Sequence, residues 1–344
     1  MQIRVAGLIF CLSLLALAAP AQAQRAGGPP AGPTRSIEQV RGNVYRVLNN
    51  AGFPQVTMVQ VTSEGIVLAD PLNAEFTAWL RSELATRFPG QPVRYVINTH
   101  YHWDHARGGG MFADTATYVA HAEFENNLAR PIHEARPPGD TDDVNRDGCL
   151  TREEAQTGTR GNFDAMNGDG DGCLTQREMA LDIRRPDITF TGDRYTVQLG
   201  GERVELVHAG NRHTSDNVDL FFPAQRVVFA SDYVQLKRTC CGFAFDRKPL
   251  SAWIASLRTL ESLDFDVIVG NHGDMGSKAD LSEARQFLED LSAAVSSAIA
   301  AGQSVEEMQK TIRLERYSGW MNFDGQLPGV IQSAYLSLTQ YSGR

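Results

Sequence analysis

The sequence predicts an α/β fold, an αββα sandwich in which two β-sheets pack face to face and helices cover the outside. Three observations predict it: β-like runs fill both halves of the chain, each half also contains helical runs, and the helical runs carry apolar residues on one face. An element with one apolar face must bury that face against another element, and packed layers of this kind are the stable solution.

The first half supplies strands and one helix. Three β-like runs, separated by turn residues, cover 44–49, 55–62 and 65–71. Apolar residues recur at four-residue spacing over 74–88, which predicts a helix there. The run VRYVINTH, 93–100, is typical of a strand that ends in polar side chains.

The second half repeats the plan of strands followed by helices. Four further β-like runs cover 195–199, 203–209, 218–223 and 226–232. A helix over 249–263 precedes a short apolar strand at 266–273. A long helix is expected over 281–301, with Asp280 and Glu283 forming a capping box at its start. Trailing aromatic residues in the C-terminal part of the chain are expected to pack against these helices.

The N-terminal segment predicts export. Arg4 precedes an apolar run that ends in small residues at Ala23, which is the layout of a secretory signal peptide. The run is shorter than the roughly 20 residues of a bilayer-spanning helix. We therefore expect a signal peptide (1–23), a Gly- and Pro-rich linker (24–36) and one large domain (37–344), in a secreted or periplasmic protein without a membrane anchor.

Charge and cysteine content narrow the choice of partners. The formal net charge of −9 argues against nucleic acid or anionic lipid as a partner and leaves a small-molecule substrate as the expectation. Four cysteines follow the signal peptide, and in an exported protein they allow disulfides in three connectivities. They are Cys149, Cys173, Cys240 and Cys241. The oligomeric state is left open.

A cluster of histidines and an aspartate indicates a metal site. The segment NTHYHWDHARGG places His100, His102, Asp104 and His105 within six residues at the end of a predicted strand. Neutral imidazoles and carboxylates are the ligands that zinc and similar ions accept. A solvated polar turn would not require three histidines so close together.

This segment resembles the H-x-H-x-D-H signature of the metallo-β-lactamase superfamily. The further residues that the family uses follow in order, with His213 in GNRHTSDN, Asp232 in VVFASDYV and His272 in VGNHGDMG. The resemblance implies that family's αββα fold, with two mixed sheets, and a site for two zinc or other transition-metal ions. The implied ligands are His100, His102 and His213 for one ion, Asp104, His105 and His272 for the other, and Asp232 between them.

The resemblance also implies hydrolysis. Two metal ions lower the pKa of a shared water toward about 7, so that a hydroxide held between them attacks the substrate. Asp104 would orient that hydroxide as the catalytic carboxylate. The implied activity is cleavage of an ester, thioester, amide or lactam, or phosphodiester bond. Asp232 stands where lactam-cleaving members often carry Cys or Ser, which disfavours a β-lactamase proper without excluding it.

A tandem repeat indicates a second kind of metal site. The letters DGCLT occur twice, and the flanking residues repeat as well, over Asp143–Glu154 and Asn167–Glu178. Both copies fit a twelve-residue calcium loop, with oxygen ligands at alternate positions, Gly at position six and Glu at position twelve. The candidate calcium ligands are Asp143, Asn145, Asp147, Cys149, Thr151 and Glu154 in the first copy, and Asn167, Asp169, Asp171, Cys173, Thr175 and Glu178 in the second.

The pair of loops resembles EF-hands and predicts a small helical insertion, 138–182, within the metal-binding domain. We expect it to bind one or two Ca²⁺ and to stiffen a wall of the active-site groove. Cys149 and Cys173 hold the same position in their loops, where the cysteine would bind calcium through its backbone carbonyl. Whether they approach closely enough for a disulfide is left open.

Two other functions stay open from the sequence. Some members of the resembled family use the first three ligands around a single iron for oxidation, as a sulfur dioxygenase does. A chain that used only its loops would be a non-catalytic calcium-binding protein. Metal content separates the three possibilities: two zinc ions, one iron ion, or calcium alone.

Overall fold

Two mixed β-sheets, packed face to face, form the centre of the molecule. The structure is a computed structural model that describes residues 34–50, 54–130, 143, 145–155, 157–210, 213–239, 249–273 and 275–340. The predicted signal peptide, the linker up to residue 33, the start of the insertion at 138–142 and the pair Cys240 and Cys241 lie outside the described residues.

The first sheet contains seven described strands in sequence order. They are β1 Arg35–Arg41, β2 Val44–Asn49, β3 Gln55–Thr62, β4 Gly65–Ala69, β5 Val93–Ile97, β6 Thr117–His121 and β7 Ile188–Phe190. Strands β1 to β4 pair antiparallel, and β4 to β7 pair parallel. The carboxyl ends of β4, β5 and β6 therefore meet at one edge of the sheet.

The second sheet contains six described strands, also in sequence order. They are β8 Arg194–Leu199, β9 Glu202–Val207, β10 Asp219–Phe222, β11 Val227–Ala230, β12 Val267–Gly270 and β13 Met275–Ser277. Neighbours are antiparallel except β11 and β12, which run parallel. Segments that leave β11 and β12 at their carboxyl ends therefore start side by side.

Helices cover the outer face of each sheet. Those outside the insertion are α1 Ala74–Arg87, α2 Trp103–Ala106, α3 Glu123–Ala129, α7 Leu250–Glu261, α8 Lys278–Ala300, α9 Val305–Thr311 and α10 Phe323–Gln340. Phe76 and Leu80 of α1 pack on the first sheet, and Phe287 and Leu291 of α8 belong to the core outside the second. The predicted αββα sandwich is confirmed.

Apolar side chains of both sheets meet in the core between them. Val56 and Met58 of the first sheet lie in the same buried cluster as Leu220 and Phe222 of the second. Each sheet thus has two apolar faces, one toward the other sheet and one toward helices. This explains why inner strands such as β4, β11 and β12 are nearly continuous apolar runs rather than alternating ones.

The start of the long helix differs from its prediction. Helix α8 begins at Lys278, and its capping box joins Ser277 to Asp280 instead of Asp280 to Glu283. Ser277 Oγ accepts a hydrogen bond from Asp280 N, and an Asp280 oxygen accepts one from Ser277 N at 2.7 Å. Serine has a short side chain that reaches the N3 backbone from an extended N-cap, so it takes the cap one turn earlier.

Four short or polar strands were not predicted. Strand β1 begins at Arg35, so the packed chain starts two residues before the expected position, Ile37. Strands β6, β7 and β13 were missed as well, two of them being only three residues long. Strands of this length carry too few residues to show a period of two.

The insertion forms a small unit between α3 and β7. Its described helices are α4 Thr157–Gly161, α5 Phe163–Met166 and α6 Gln176–Met179. Each has only four or five residues, shorter than the helices that flank an ordinary EF-hand loop. We call its described residues from Asp143 to Asp182 the inserted module. Among the described residues of the whole chain, no helix has the length and apolar character needed to cross a membrane.

Candidate metal centre

The carboxyl ends of neighbouring strands carry the predicted metal ligands. His100 follows β5 in the first sheet, and Asp232 and His272 follow the parallel pair β11 and β12 in the second. The short helix α2 carries Asp104 and His105 directly after the strand end. Ligand sites at the carboxyl ends of parallel strands are the usual arrangement in α/β folds.

The structure brings all seven predicted ligands together in two adjacent groups. Within each group the ligand atoms lie within 4.8 Å of one another, the groups being His100, His102, His213 and Asp232, and Asp104, His105 and His272. Asp232 Oδ2 lies 3.3 Å from His213 Nε2 and 3.1 Å from His272 Nε2. Its other oxygen, Oδ1, lies 3.3 Å from His105 Nε2. The Asp232 carboxylate therefore faces both groups.

The spacing of these atoms suits transition-metal ions. Ligand atoms held at 2.0–2.1 Å from a tetrahedral zinc ion lie about 3.3 Å apart. His213 Nε2 and His102 Nδ1 are 2.9 Å apart, and His105 Nε2 is 3.3 Å from Asp104 Oδ2. His100 Nε2 is buried and makes no hydrogen bond. A buried nitrogen lone pair without a hydrogen is satisfied by a metal ion, so the residues fit the group.

Hydrogen bonds on the far side of the rings fix which nitrogen faces the centre. His272 Nδ1 lies 2.8 Å from the carbonyl oxygen of Pro54, and His105 Nδ1 lies 3.1 Å from Asp70 Oδ2. A carbonyl or carboxylate oxygen only accepts, so each Nδ1 carries the hydrogen and each Nε2 presents its lone pair. This is the tautomer that binds a metal ion through Nε2.

Asp70, which was not predicted as a functional residue, holds the first ligand segment in place. Its carboxylate accepts from Thr99 N at 2.8 Å and from Thr99 Oγ1 at 2.7 Å. Thr99 Oγ1 in turn lies 3.1 Å from His100 Nδ1. The Asp70 backbone has φ 43°, an uncommon conformation for a residue with a side chain. An acidic residue followed by proline at the end of a strand beside the ligand strand was the available signal.

The protonation equilibria at the centre depend on burial and on neighbouring charges. Burial lowers the pKa of His100 well below its ordinary value, and the neighbouring His105 and His213 lower it further against the carboxylates. Burial raises the pKa of Asp232, but the charges of His272 and His105 outweigh this and bring it well below the ordinary range. Burial lowers the pKa of His105 and of His272, but the charge of Asp232 outweighs it and raises both above the ordinary value, so these two rings release a proton when a metal ion binds.

Comparison with known proteins identifies the family. The sequence model of the Metallo-beta-lactamase superfamily matches residues 50–272, which hold the seven clustered side chains. The chain belongs to the metallo-beta-lactamase superfamily. Its buried cluster is the metal-binding His and Asp cluster typical of that superfamily, whose members are generally metal-dependent hydrolases.

Proteins similar to this chain have diverse names. This chain is 24% identical over 279 residues to the 2,4-dinitroanisole O-demethylase subunit alpha of Nocardioides sp. (strain JS1661), and the match covers 80% of this chain and 68% of that one. A metallo-beta-lactamase from Pontibacter korlensis aligns with a TM-score of 0.52 at 20% identity, covering 74% of this chain and 99% of that chain. The inverting sec-alkylsulfatase Pisa1 from Pseudomonas sp. aligns with a TM-score of 0.61 at 15% identity, over 90% of this chain and 51% of that chain. At such identities the structural likeness shows the fold alone.

The two repeated loops pair with each other in the inserted module. Leu150 and Leu174, at equivalent positions, form an antiparallel bridge with two N–H···O bonds of 3.0 Å. Cys149 and Cys173 form a disulfide, with Cα atoms 5.2 Å apart. The sequence left open whether these two cysteines bond to each other, and in the structure they do. The bridge and the disulfide each join residues that are 24 positions apart, so both link equivalent positions of the two loops.

The loop side chains follow the repeat as well. Asp143 accepts from the backbone N–H groups of Asp147 and Gly148, at 3.0 and 2.9 Å. Glu154 and Glu178 bond to the threonines three residues before them. Among the described residues, however, three or more His, Cys, Asp or Glu ligand atoms converge only in the two groups of the metal centre. The loop carboxylates are not gathered in that way.

Proposed function

We propose that this chain is an exported dizinc hydrolase with a calcium-binding inserted module. The observation that carries the hydrolase is the Asp232 carboxylate, whose two oxygens contact histidines of both groups. A carboxylate shared between two ligand groups is what a two-metal site needs.

The protein's residues have distinct parts in the reaction. His100, His102 and His213 would hold one ion, Asp104, His105 and His272 the other, and Asp232 would join them. Bound zinc supplies a Lewis acid and an activated water. Asp104 is the more exposed of the two carboxylates, its side chain being 13% exposed against 9% for Asp232. Its carboxylate would accept a hydrogen bond from the water held at the centre and orient that water for attack.

The names of the relatives guide the choice of substrates. We propose that the substrate is a small molecule with an ester, thioester, amide or lactam, or phosphodiester bond. The names sec-alkylsulfatase and 2,4-dinitroanisole O-demethylase subunit add two further compounds to the test panel. A panel of carboxylic ester, thioester, lactam, phosphodiester, secondary alkyl sulfate and 2,4-dinitroanisole distinguishes the bond classes.

The test combines metal content with activity on that panel. Purified protein should contain two zinc ions per chain, and Asp104→Asn should lower kcat for the best substrate by at least about a hundredfold because a neutral amide is a weaker metal ligand and orients the attacking water less well. The matched control is Asp114→Asn, which changes an exposed carboxylate paired with Arg81. One iron per chain, or calcium alone, would instead favour oxidation or a non-catalytic role.

We also propose that the inserted module binds one or two Ca²⁺. The pairing of the two loops at Leu150 and Leu174 supports it, because the bridge joins equivalent positions of two segments that each fit a calcium loop. Calcium would draw in the carboxylates of Glu154 and Glu178, which in the structure accept hydrogen bonds from the threonines three residues before them. The expected effect is a higher melting temperature and higher activity when calcium is added at fixed zinc.

Calcium binding is measured by titration calorimetry on the intact protein. Replacing Asp147 and Asp171 by Asn removes one carboxylate from each loop and should weaken binding, whereas the exposed Asp193→Asn serves as control. Equal melting temperature and activity with and without calcium would exclude the proposal. Export is tested separately, by sequencing the N-terminus of the cell-envelope protein, which should begin at Gln24.

A further inference from the structure

Trp103 lies between two predicted ligands, yet its side chain belongs to the inserted module. It follows His102 and precedes Asp104 on the four-residue helix α2. Its side chain packs in the buried core of the module instead of in the sandwich. That cluster consists of Trp103, Leu150, Ala155, Phe163, Met166, Leu174 and Met179. Trp103 is the member of the cluster that lies outside the module in sequence.

A buried hydrogen bond fixes the orientation of the indole. Trp103 Nε1 donates to Thr159 Oγ1 at 3.2 Å. Trp103 is 8% exposed and Thr159 is 4% exposed, so neither group has ready access to water as an alternative partner. A buried indole N–H normally requires such a partner. The bond joins α2, the short helix that carries Asp104 and His105, to α4, more than fifty residues further along the chain.

The end of the ligand helix has a second link to the module. Arg107, the C-cap residue of α2, donates from Nε to Asp182 Oδ1. Its backbone also forms an antiparallel bridge with Ile183, at the exit from the module. The module thus contacts the beginning of α2 through Trp103 and its end through Arg107.

Helix α2 depends on such contacts for its position. A helix of four residues is not stable by itself, and α2 has no side-chain N-cap. Its other described tethers include the Gln55 Nε2 bond to Asp104 O at 2.6 Å, the Leu72 N–H bond to His105 O at 2.9 Å and the His105 bond to Asp70. The direction in which the Asp104 side chain points is therefore set partly from outside the sandwich.

We propose that Trp103 is a positioning residue through which the inserted module orients Asp104 and His105 at the metal centre. The chain's second metal group is thereby preorganised by a segment that contributes no ligand to it. This deepens the proposed hydrolase and rests on it for the activity readout only. Loss of such supporting contacts typically weakens metal binding or activity by 10- to 100-fold.

The experiment measures metal binding directly. Metal-free full-length protein is titrated with Co²⁺ and followed by its visible absorption, and zinc affinity is obtained by competition. Thr159→Val, which removes only the hydroxyl that accepts from the indole, and Trp103→Phe should each weaken binding of one ion by about 10- to 100-fold and change the Co²⁺ spectrum. The control is Trp320→Phe, a tryptophan equally exposed at 8% in the helix layer of the second sheet.

The double variant shows whether Thr159 acts through Trp103. We expect its metal affinity to be no lower than that of the single variant with the lower affinity. If the enzyme is active, we expect kcat to fall by a larger factor than KM rises. Wild-type affinity and spectrum in Thr159→Val would overturn the inference, as would additive effects in the double variant. If Trp103→Phe does not fold, Thr159→Val decides alone. Because metal binding is read without turnover, an inactive wild-type protein would contradict the hydrolase and leave this result valid.

Discussion

The metal centre and the inserted module place carboxylates around a potential ion in two different ways. At the metal centre, the side chains of Asp232 and Asp104 are only 9% and 13% exposed, and strands of two large sheets hold the surrounding rings. In the module, Asp147, Asp169 and Asp171 are exposed and lie on loops between helices of four or five residues.

This difference shows what each region uses for support. The sheet edges fix their ligands through apolar cores on both faces, which brings the ligand atoms together. The core of the module consists of seven residues, and one of them, Trp103, belongs to helix α2 outside the module. A core so small supplies little stability by itself, and a disulfide or a metal ion is the usual supplement.

Removing the disulfide should separate the two regions most clearly. We expect the pair Cys149→Ser and Cys173→Ser to destabilise the module by about 3 kcal/mol, because the bond closes a loop with a sequence separation of 24 residues. Hydrogen exchange of the Leu150 and Leu174 amides measures the change, and Val56 in the sandwich core serves as internal control. Equal loss of protection in both places would show that the module is not a separate unit.

A change behind the ligands should weaken the metal centre and leave the module intact. Asp70→Asn removes the carboxylate that holds His105 Nδ1–H, so zinc affinity should fall by about 10- to 100-fold. Competition with a chromophoric chelator measures it. The matched control is Asp187→Asn, at the entry to β7, which carries no contact to a ligand histidine in the described hydrogen bonds. Unchanged zinc affinity in Asp70→Asn would contradict a supporting role for this residue.

The smallest expected effect is a pH dependence of the free energy of unfolding, which comes from Asp219 in the second sheet. Asp219 is buried, and burial raises its pKa from 3.8 to about 7 against the hydrogen bonds from Tyr233 and Ser231. Between these values the unfolded chain releases a proton that the folded chain keeps. The Asp219 contribution to the free energy of unfolding is therefore fully present below pH 4 and declines as pH rises toward 7.

Urea unfolding of metal-free protein measures this dependence. Between pH 5 and pH 7, the free energy of unfolding should fall by about 2 kcal/mol more in the wild type than in Asp219→Asn. The asparagine keeps an oxygen for the Ser231 N–H, which lies 2.9 Å from Asp219 Oδ1, and does not titrate. Parallel pH profiles of the two proteins would show that Asp219 is not protonated in the fold.

Much of the fold and the first four residues of the cluster could be predicted because their signals are local, whereas His213, Asp232 and His272 were expected only from the resemblance to the superfamily. The strand over 55–62 and the helix from Ala74 follow from apolar spacing, and His100 to His105 stand within six residues. The supporting residues were missed for a physical reason. Asp70 and Thr159 resemble any other loop or helix residue until the chain folds, because their partners lie far away in sequence.

The sequence by itself determined the two packed sheets, the types of ligand and the repeated loops, since apolar periodicity and side-chain chemistry are written residue by residue. Only the tertiary structure decided that Asp232 faces both groups, that Cys149 bonds to Cys173, and that Trp103 packs in the module. Each of these depends on distances between segments that are remote along the chain. Such distances are set by the packing of whole layers, which no single stretch of sequence contains.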